Sequence, residues 1–160
     1  MKKIFLTIAT AALFSVTVFA ADGGKKANDN TATASYYVQQ EFAADFGSAT
    51  NVTWTVTKNV QKAEFVIDGV KKTAFYNLNG DFMGVTQTIS YKAIPAKSQK
   101  LIAAQYKEYT PVNVIVYQAN DALNSDIDAT SYFVDLKNDN HEVLVRVTGS
   151  GNLDFFKQVK

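Results

Sequence analysis

Beyond a polar stretch that ends near Ala34, apolar residues of this chain fall at helical spacing, then at strand spacing, and the cycle runs twice. Ser35 is a fitting N-cap, and Val38, Phe42 and Phe46 follow it at i, i+4 and i+8, which predicts a helix closed by Gly47. Four strand patterns come next. Asn51 to Thr57 sets Val52, Trp54 and Val56 on one face and Thr53, Thr55 and Thr57 on the other. Lys62 to Asp68 alternates Ala63, Phe65 and Ile67 with Glu64, Val66 and Asp68. Asp68-Gly69 and Asn79-Gly80 are hairpin turns, so Lys71 to Leu78 and Phe82 to Tyr91 extend an antiparallel meander.

Pro95 opens the second cycle. Ser98 to Tyr109 carries Ile102, Tyr106 and Tyr109 on one helical face, and Pro111 stops it. Strands are then expected at Val112 to Tyr117, Ser131 to Leu136, His141 to Thr148 and Leu153 to Val159, with turns at Asn138-Asp139 and Gly149-Ser150-Gly151. Ala43-Ala44-Asp45-Phe46 recurs as Ala103-Ala104-Gln105-Tyr106, and Val52 to Val56 recurs as Val112 to Val116, at a constant offset of sixty. The predicted fold is α+β: two tandem repeats, 35–94 and 95–160, each a helix plus a four-stranded antiparallel sheet, together forming one domain.

Residues 1–20 read as a signal peptide. Lys2 and Lys3 precede the apolar run Ile4 to Val18, and Val18-Phe19-Ala20 offers small residues where a signal peptidase reads. The run is shorter than the ~20 residues that span a bilayer, so no membrane span is expected after cleavage, and the chain is expected in the periplasm or secreted. Residues 21–34 contain no large apolar side chain and read as a flexible leader. Without residues 1–20 the chain keeps 14 basic and 15 acidic residues, a balance that gives no electrostatic reason to bind nucleic acid. Cysteine is absent, so an exported domain must rely on its core.

The run Phe46, Val52-x-Trp54, Ala63-x-Phe65, Asp68-Gly69, Ala74-x-Tyr76-x-x-x-Gly80 and Ile94-Pro95 resembles the β-lactamase-inhibitor-like, PepSY-like family of exported bacterial proteins. Ile102-x-x-x-Tyr106-x-x-Tyr109 and Pro111 extend the similarity into the second half. The resemblance implies a tandem helix-plus-sheet architecture, in which the name-giving inhibitor grips its enzyme with a broad concave sheet. This sequence departs from the pattern at Val114, which stands where the first half has Trp54, and in an expanded loop near Asn120.

Catalytic groupings are hard to assemble. His141 is the single histidine and falls in a predicted turn, no Gly-x-Ser-x-Gly elbow exists, and a Cys-His pair is impossible. No cofactor or metal is expected. Asn120 to Asp128 spaces oxygen ligands at alternate positions but lacks the glycine and distal glutamate of a calcium loop. Alternation assigns Trp54, Phe65, Tyr76 and Phe82 to the helix-covered side. The opposite side receives Phe75 in the first half and Ile115, Tyr117, Phe133, Asp135, Leu144, Arg146 and Phe156 in the second. A solvated sheet face rarely collects so many apolar residues, so this side is expected either to bind a partner or to be buried where the halves pack. The expected function is that of a non-catalytic binding module of inhibitor type, which engages an unidentified envelope protein or peptide through Tyr117, Phe133, Asp135, Arg146, Phe156 and Phe75. Two alternatives stand beside it: a small-molecule binder or enzyme using Asp135 and Arg146 in a pocket between the repeats, and a calcium-responsive structural protein built on the Asn120 to Asp128 loop.

Overall fold

The structure is a computed structural model that describes residues 33–120 and 129–160. Helix α1 (Tyr36–Asp45) is followed by strands β1 (Thr50–Val56), β2 (Gln61–Ile67), β3 (Val70–Tyr76) and β4 (Phe82–Thr88). A 3-10 turn (Tyr91–Ala93) leads into α2 (Ala96–Gln105) and strands β5 (Thr110–Ala119), β6 (Thr130–Lys137), β7 (Glu142–Thr148) and β8 (Leu153–Gln158). The eight strands form one antiparallel sheet in sequence order, with β4 paired to β5 at its centre. Among the described residues no helix is long and apolar enough to cross a membrane.

Each helix starts where local hydrogen bonds make starting cheap. Ser35 Oγ accepts from the Val38 N–H at 3.3 Å, and the Gln39 side chain donates to the Ala34 carbonyl at 2.7 Å. Sixty residues on, Pro95 holds the N-cap without a side-chain bond, and the Gln99 side chain donates to the Ile94 carbonyl at 3.0 Å. Proline fits this position because its missing N–H would have had no helical partner. Both helices end alike: Phe46 N–H returns to the Phe42 carbonyl and Tyr106 N–H to the Ile102 carbonyl, each at 2.8 Å. The second helix therefore spans Ala96–Gln105 rather than the expected Ser98 to Tyr109. Tyr109 lies in the following turn, edge-on to Tyr106 at 5.7 Å. Ala34, assigned to the leader from composition, is buried against α1. Residues 1–20 and residues 21–32 of the leader lie outside the described residues.

Hairpin geometry follows turn chemistry. Asp68 and Gly69 take φ of 52° and 75°, the pair of positive values that a two-residue turn between twisted strands requires. At β1 the expected alternation breaks. Asn51 has φ 55°, pairing slips between Thr50 and Thr53, and Val52 is 38% exposed instead of joining Trp54 under the helix. A bulge of this kind twists an edge strand away from further pairing.

The core forms two clusters on one side of the sheet. Val38 and Phe42 pack with Ala63, Phe65, Ala74 and Tyr76. Ile94 and Ile102 pack with Val114, Val134, Leu136, Val143, Val145 and Val147. Register connects the two: Ala74 opposes Val85, and Val85 opposes Gln118, which shares its parity with Val114 and Val116. Both helices therefore cover the same side. The first cluster is aromatic, with Phe42 edge-on to Trp54 at 5.3 Å and to Phe65 at 5.0 Å.

Tyr76 is wholly buried there, yet its hydroxyl has no hydrogen-bond partner. Burial and the nearby carboxylates of Asp45 and Glu41 hold its ionisation far above the ordinary range. A buried hydroxyl without a partner costs ~1–3 kcal/mol that phenylalanine would not incur. Tyr76→Phe is thus expected to leave the free energy of urea unfolding unchanged or raise it, by up to about 1 kcal/mol. A clear loss of stability would mean that the hydroxyl is bonded.

Candidate functional site

Pairing register assembles the uncovered side of the sheet into rows. One row crosses seven strands through Thr53, Glu64, Thr73, Thr86, Tyr117, Ser131 and Thr148. A second runs Thr88, Ile115, Phe133, Arg146 and Asp154 across β4 to β8. A third joins Asn113, Asp135, Leu144 and Lys157. A fourth, Thr55, Lys62, Phe75, Gly84 and Ala119, spans β1 to β5. Threonines and charged groups dominate the first half of this face, and large apolar groups gather in the second.

All six residues singled out from the sequence lie on this side, but they do not form one patch. Phe75 is buried opposite Gly84 in the first half. Tyr117 reaches across the central seam, where its hydroxyl donates to the Met83 carbonyl at 2.7 Å. Its ring lies so close over Gly84 that a Cβ there would fall 2.7 Å from Tyr117 Cε2. Phe133 is buried and stands edge-on to Phe156 at 5.1 Å, beside half-buried Ile115. Arg146 forms an ion pair with Asp154 at 3.0 Å rather than with Asp135. Phe133, Leu144 and Phe75 thus serve as a floor, while Ile115, Tyr117, Arg146 and Phe156 are the half-buried groups above it.

Two expectations need correction. The halves meet edge to edge through β4 and β5, so the apolar side is not buried by one half stacking on the other. For the same reason no inter-repeat pocket is formed by Asp135 and Arg146, which sit on β6 and β7, away from the seam. The calcium reading concerns 121–128, outside the described residues; Asn120 itself donates its side chain to the Phe82 carbonyl at 3.1 Å. Among the described residues no group of three histidine, cysteine or carboxylate side chains is placed to hold a metal. His141 is exposed in its turn, with its N–H on Asn138 Oδ1.

Three participants were missed from sequence. Gly84 had a signal, since a glycine within a strand pattern often marks close approach of another group. Asp154 and Glu142 had none, because their roles depend on which residues lie opposite across β6, β7 and β8.

Asp135 is the electrostatic anomaly of the face. Its Oδ1 is closed to solvent and lacks a hydrogen-bond partner. Burial first, then the charge and hydrogen bonding of Glu142, push its carboxyl up to about 6, with Lys137 pulling weakly the other way. A folded-state value above the ordinary 3.8 means that the folded chain binds more protons than the unfolded one between those values, so this group removes stability as pH rises from 4 to above 6. Asp135→Asn is therefore expected to raise the thermal midpoint at pH 8 and to change it much less at pH 4. Equal shifts at both pH values would refute the assignment.

No protein-family profile matches the chain, and no curated protein matches it in sequence. Solved structures do match its fold. A DUF2874 family protein of Bacteroides uniformis superposes with TM-score 0.70 at 16% identity, covering 79% of this chain and 91% of that one. A BLIP-like protein of Bacteroides fragilis gives 0.66 at 17% identity, covering 79% and 87%. A second DUF2874 family protein, from Bacteroides ovatus, gives 0.69 at 18% identity, covering 79% and 89%. The fold is the one shared by these BLIP-like and DUF2874 structures.

Proposed function

We propose that the chain is an exported, non-catalytic binding module that grips a protein or peptide of the cell envelope with the uncovered side of its sheet. The observation that carries this reading is the gathering of Ile115, Tyr117, Phe133, Leu144 and Phe156 on the side opposite both helices. Aromatic residues and arginine are the types enriched at protein-binding hot spots. Eight strands about 4.8 Å apart, each near seven residues at about 3.3 Å, offer roughly 900 Å². A standard interface needs about 800 Å² per partner.

The module is one unit used twice, α1 with β1 to β4 and α2 with β5 to β8. The matching helix ends and the Gln39 and Gln99 side-chain bonds, sixty residues apart, support this. Export rests on the basic start, apolar run and small-residue motif of residues 1–20. An inhibitor-type role follows the likeness in fold to BLIP-like proteins and is an analogy of architecture.

Site-specific photo-crosslinking in the native envelope tests the proposal. Crosslinkers at Thr55, Thr88 and Asp154, exposed on the uncovered side, are expected to give adducts. Crosslinkers at Ala103 and Lys107, exposed on and just beyond α2, are expected to give none. Adducts confined to the α2 positions, or absent from both sets, would overturn the reading.

A further inference from the structure

The turn between β3 and β4 holds a labile pair. Gly80 has φ 100°, and a Cβ on it would fall 2.7 Å from the Tyr37 ring, so the fold fixes glycine at this position. The residue before it is Asn79, and no other asparagine of the chain precedes a glycine. Asn79 is exposed, and its side chain makes no hydrogen bond among the described residues. The other described asparagines are protected. Asn51, Asn59 and Asn113 precede valine, whose branched Cβ crowds its own backbone nitrogen. Asn77, Asn138 and Asn152 have side chains tied by hydrogen bonds of 2.7–3.2 Å. Asn120 donates to the Phe82 carbonyl, and the nitrogen after Asn140 is bound to Asn138 Oδ1.

We propose that Asn79 is a site of spontaneous covalent modification: it deamidates to an isoaspartyl link, and that link loosens the first turn of α1. The Gly80 backbone nitrogen attacks Asn79 Cγ. The Cγ–Nδ2 bond breaks, and ammonia leaves with the proton that Gly80 gives up. Water, the sole co-reactant, then opens the resulting succinimide. Cleavage between Gly80 N and Cγ yields aspartate. Cleavage at the Asn79 main-chain carbonyl yields isoaspartate, with the chain running through Cγ. The missing Cβ on Gly80 leaves its nitrogen open to attack. The restraint on that nitrogen is a bond to the Asn77 carbonyl at 3.2 Å, the long end of the usual range. A turn tip opens locally at low cost.

The isoaspartyl link adds a methylene to the main chain beside the start of α1. Gly80 packs directly under that helix, with Tyr37 Cδ1 at 2.7 Å and Val38 Cγ2 at 3.3 Å from its would-be Cβ. The Asn77 carbonyl accepts from Gly80 and also from Gln61 Nε2 at 3.3 Å. Gln61 Oε1 in turn accepts at 3.1 Å from the N–H of Ser35, the residue that caps α1. A longer main chain at 79–80 shifts that carbonyl and the glycine together, so both supports of the first turn weaken. The new carboxylate also joins Asp81 and Glu41, whose charges already act on Tyr37.

The test ages the purified full chain at pH 7 and pH 8 and follows it by side-chain amide NMR, peptide mass mapping and hydrogen exchange. Asn79 should lose its amide resonance before any other asparagine, with isoaspartate as the main product. The loss should be faster at pH 8, because hydroxide removes the Gly80 proton. The aged chain should exchange the Val38 and Gln39 amides faster, since both bond to Ser35. Asn79→Gln keeps a polar amide at an exposed position and should show neither change. Freshly prepared Asn79→Asp carries the charge without the extra methylene and should exchange as the unaged chain does. Retention of the Asn79 amide throughout, or earlier conversion of another asparagine, would overturn the site. Conversion with unchanged exchange at Val38 and Gln39, or equally faster exchange in Asn79→Gln, would remove the loosening of α1.

Discussion

Phe65→Ala lowers the stability of this domain by about 4 kcal/mol, the expected cost of deleting a wholly enclosed ring. Phe65 is 1% exposed at the centre of the first cluster. It contacts Phe42 edge-on at 5.0 Å and Phe46 at 4.8 Å, so the substitution removes a ring and strands two others. The neighbours cannot easily collapse into the space, because Phe42 is also fixed against Trp54 and Phe46 against Phe82. For a domain of this size the thermal midpoint should fall by more than about 10 °C. Phe155→Ala is the matched control: that ring is 62% exposed on β8, and its loss should stay within about 0.5 kcal/mol. Similar losses for the two variants would contradict the core described above.

Gly84→Ala should be nearly as damaging for a different reason. Gly84 has φ 150°, which side-chain-bearing residues rarely adopt, and a Cβ would lie 2.5 Å from the Gln118 carbonyl oxygen. That oxygen belongs to backbone, so relief requires the β4–β5 seam to shift. Overpacking and backbone strain each cost about 1–3 kcal/mol, which places the total near 3 kcal/mol. The Tyr117 ring above Gly84 must move as well, and with it the middle of the proposed binding face. Gly47→Ala is the comparison, because its nearest neighbour would be 3.4 Å away and no positive φ is involved. Urea unfolding distinguishes the two, and hydrogen exchange should localise the Gly84 defect to β4 and β5. Unchanged exchange along that seam would count against the steric argument.

Local signals read well where one residue's chemistry decided the outcome. Asp68-Gly69 identified a turn because both positions need positive φ, and Ser35 marked the first helix because its hydroxyl can cap. The signals failed where a distant contact decided. Tyr106 and Tyr109 have helical spacing, yet the second helix closes before them, as the first closes before Phe46. Val52 alternates correctly with Trp54, but the Asn51 bulge turns it outward. Phe75 and Phe133 were expected as contact residues, whereas crowding makes them part of the floor of the face. Asp135 was named for its position. Its orphaned oxygen and its pairing with Glu142 could not be seen until β6 and β7 were aligned.

The amino-acid sequence alone determined the helix and strand content, the antiparallel order and the side of the sheet to which most residues belong. Each of these depends on spacing within a few residues. Only the tertiary structure decided that the two halves join as one eight-stranded sheet through β4 and β5, that Arg146 answers Asp154, and that Asp135 Oδ1 is closed off without a donor. The physical reason is register. Alternation tells a residue which face it takes, but the residue that lies opposite depends on turns, bulges and packing summed over the whole sheet.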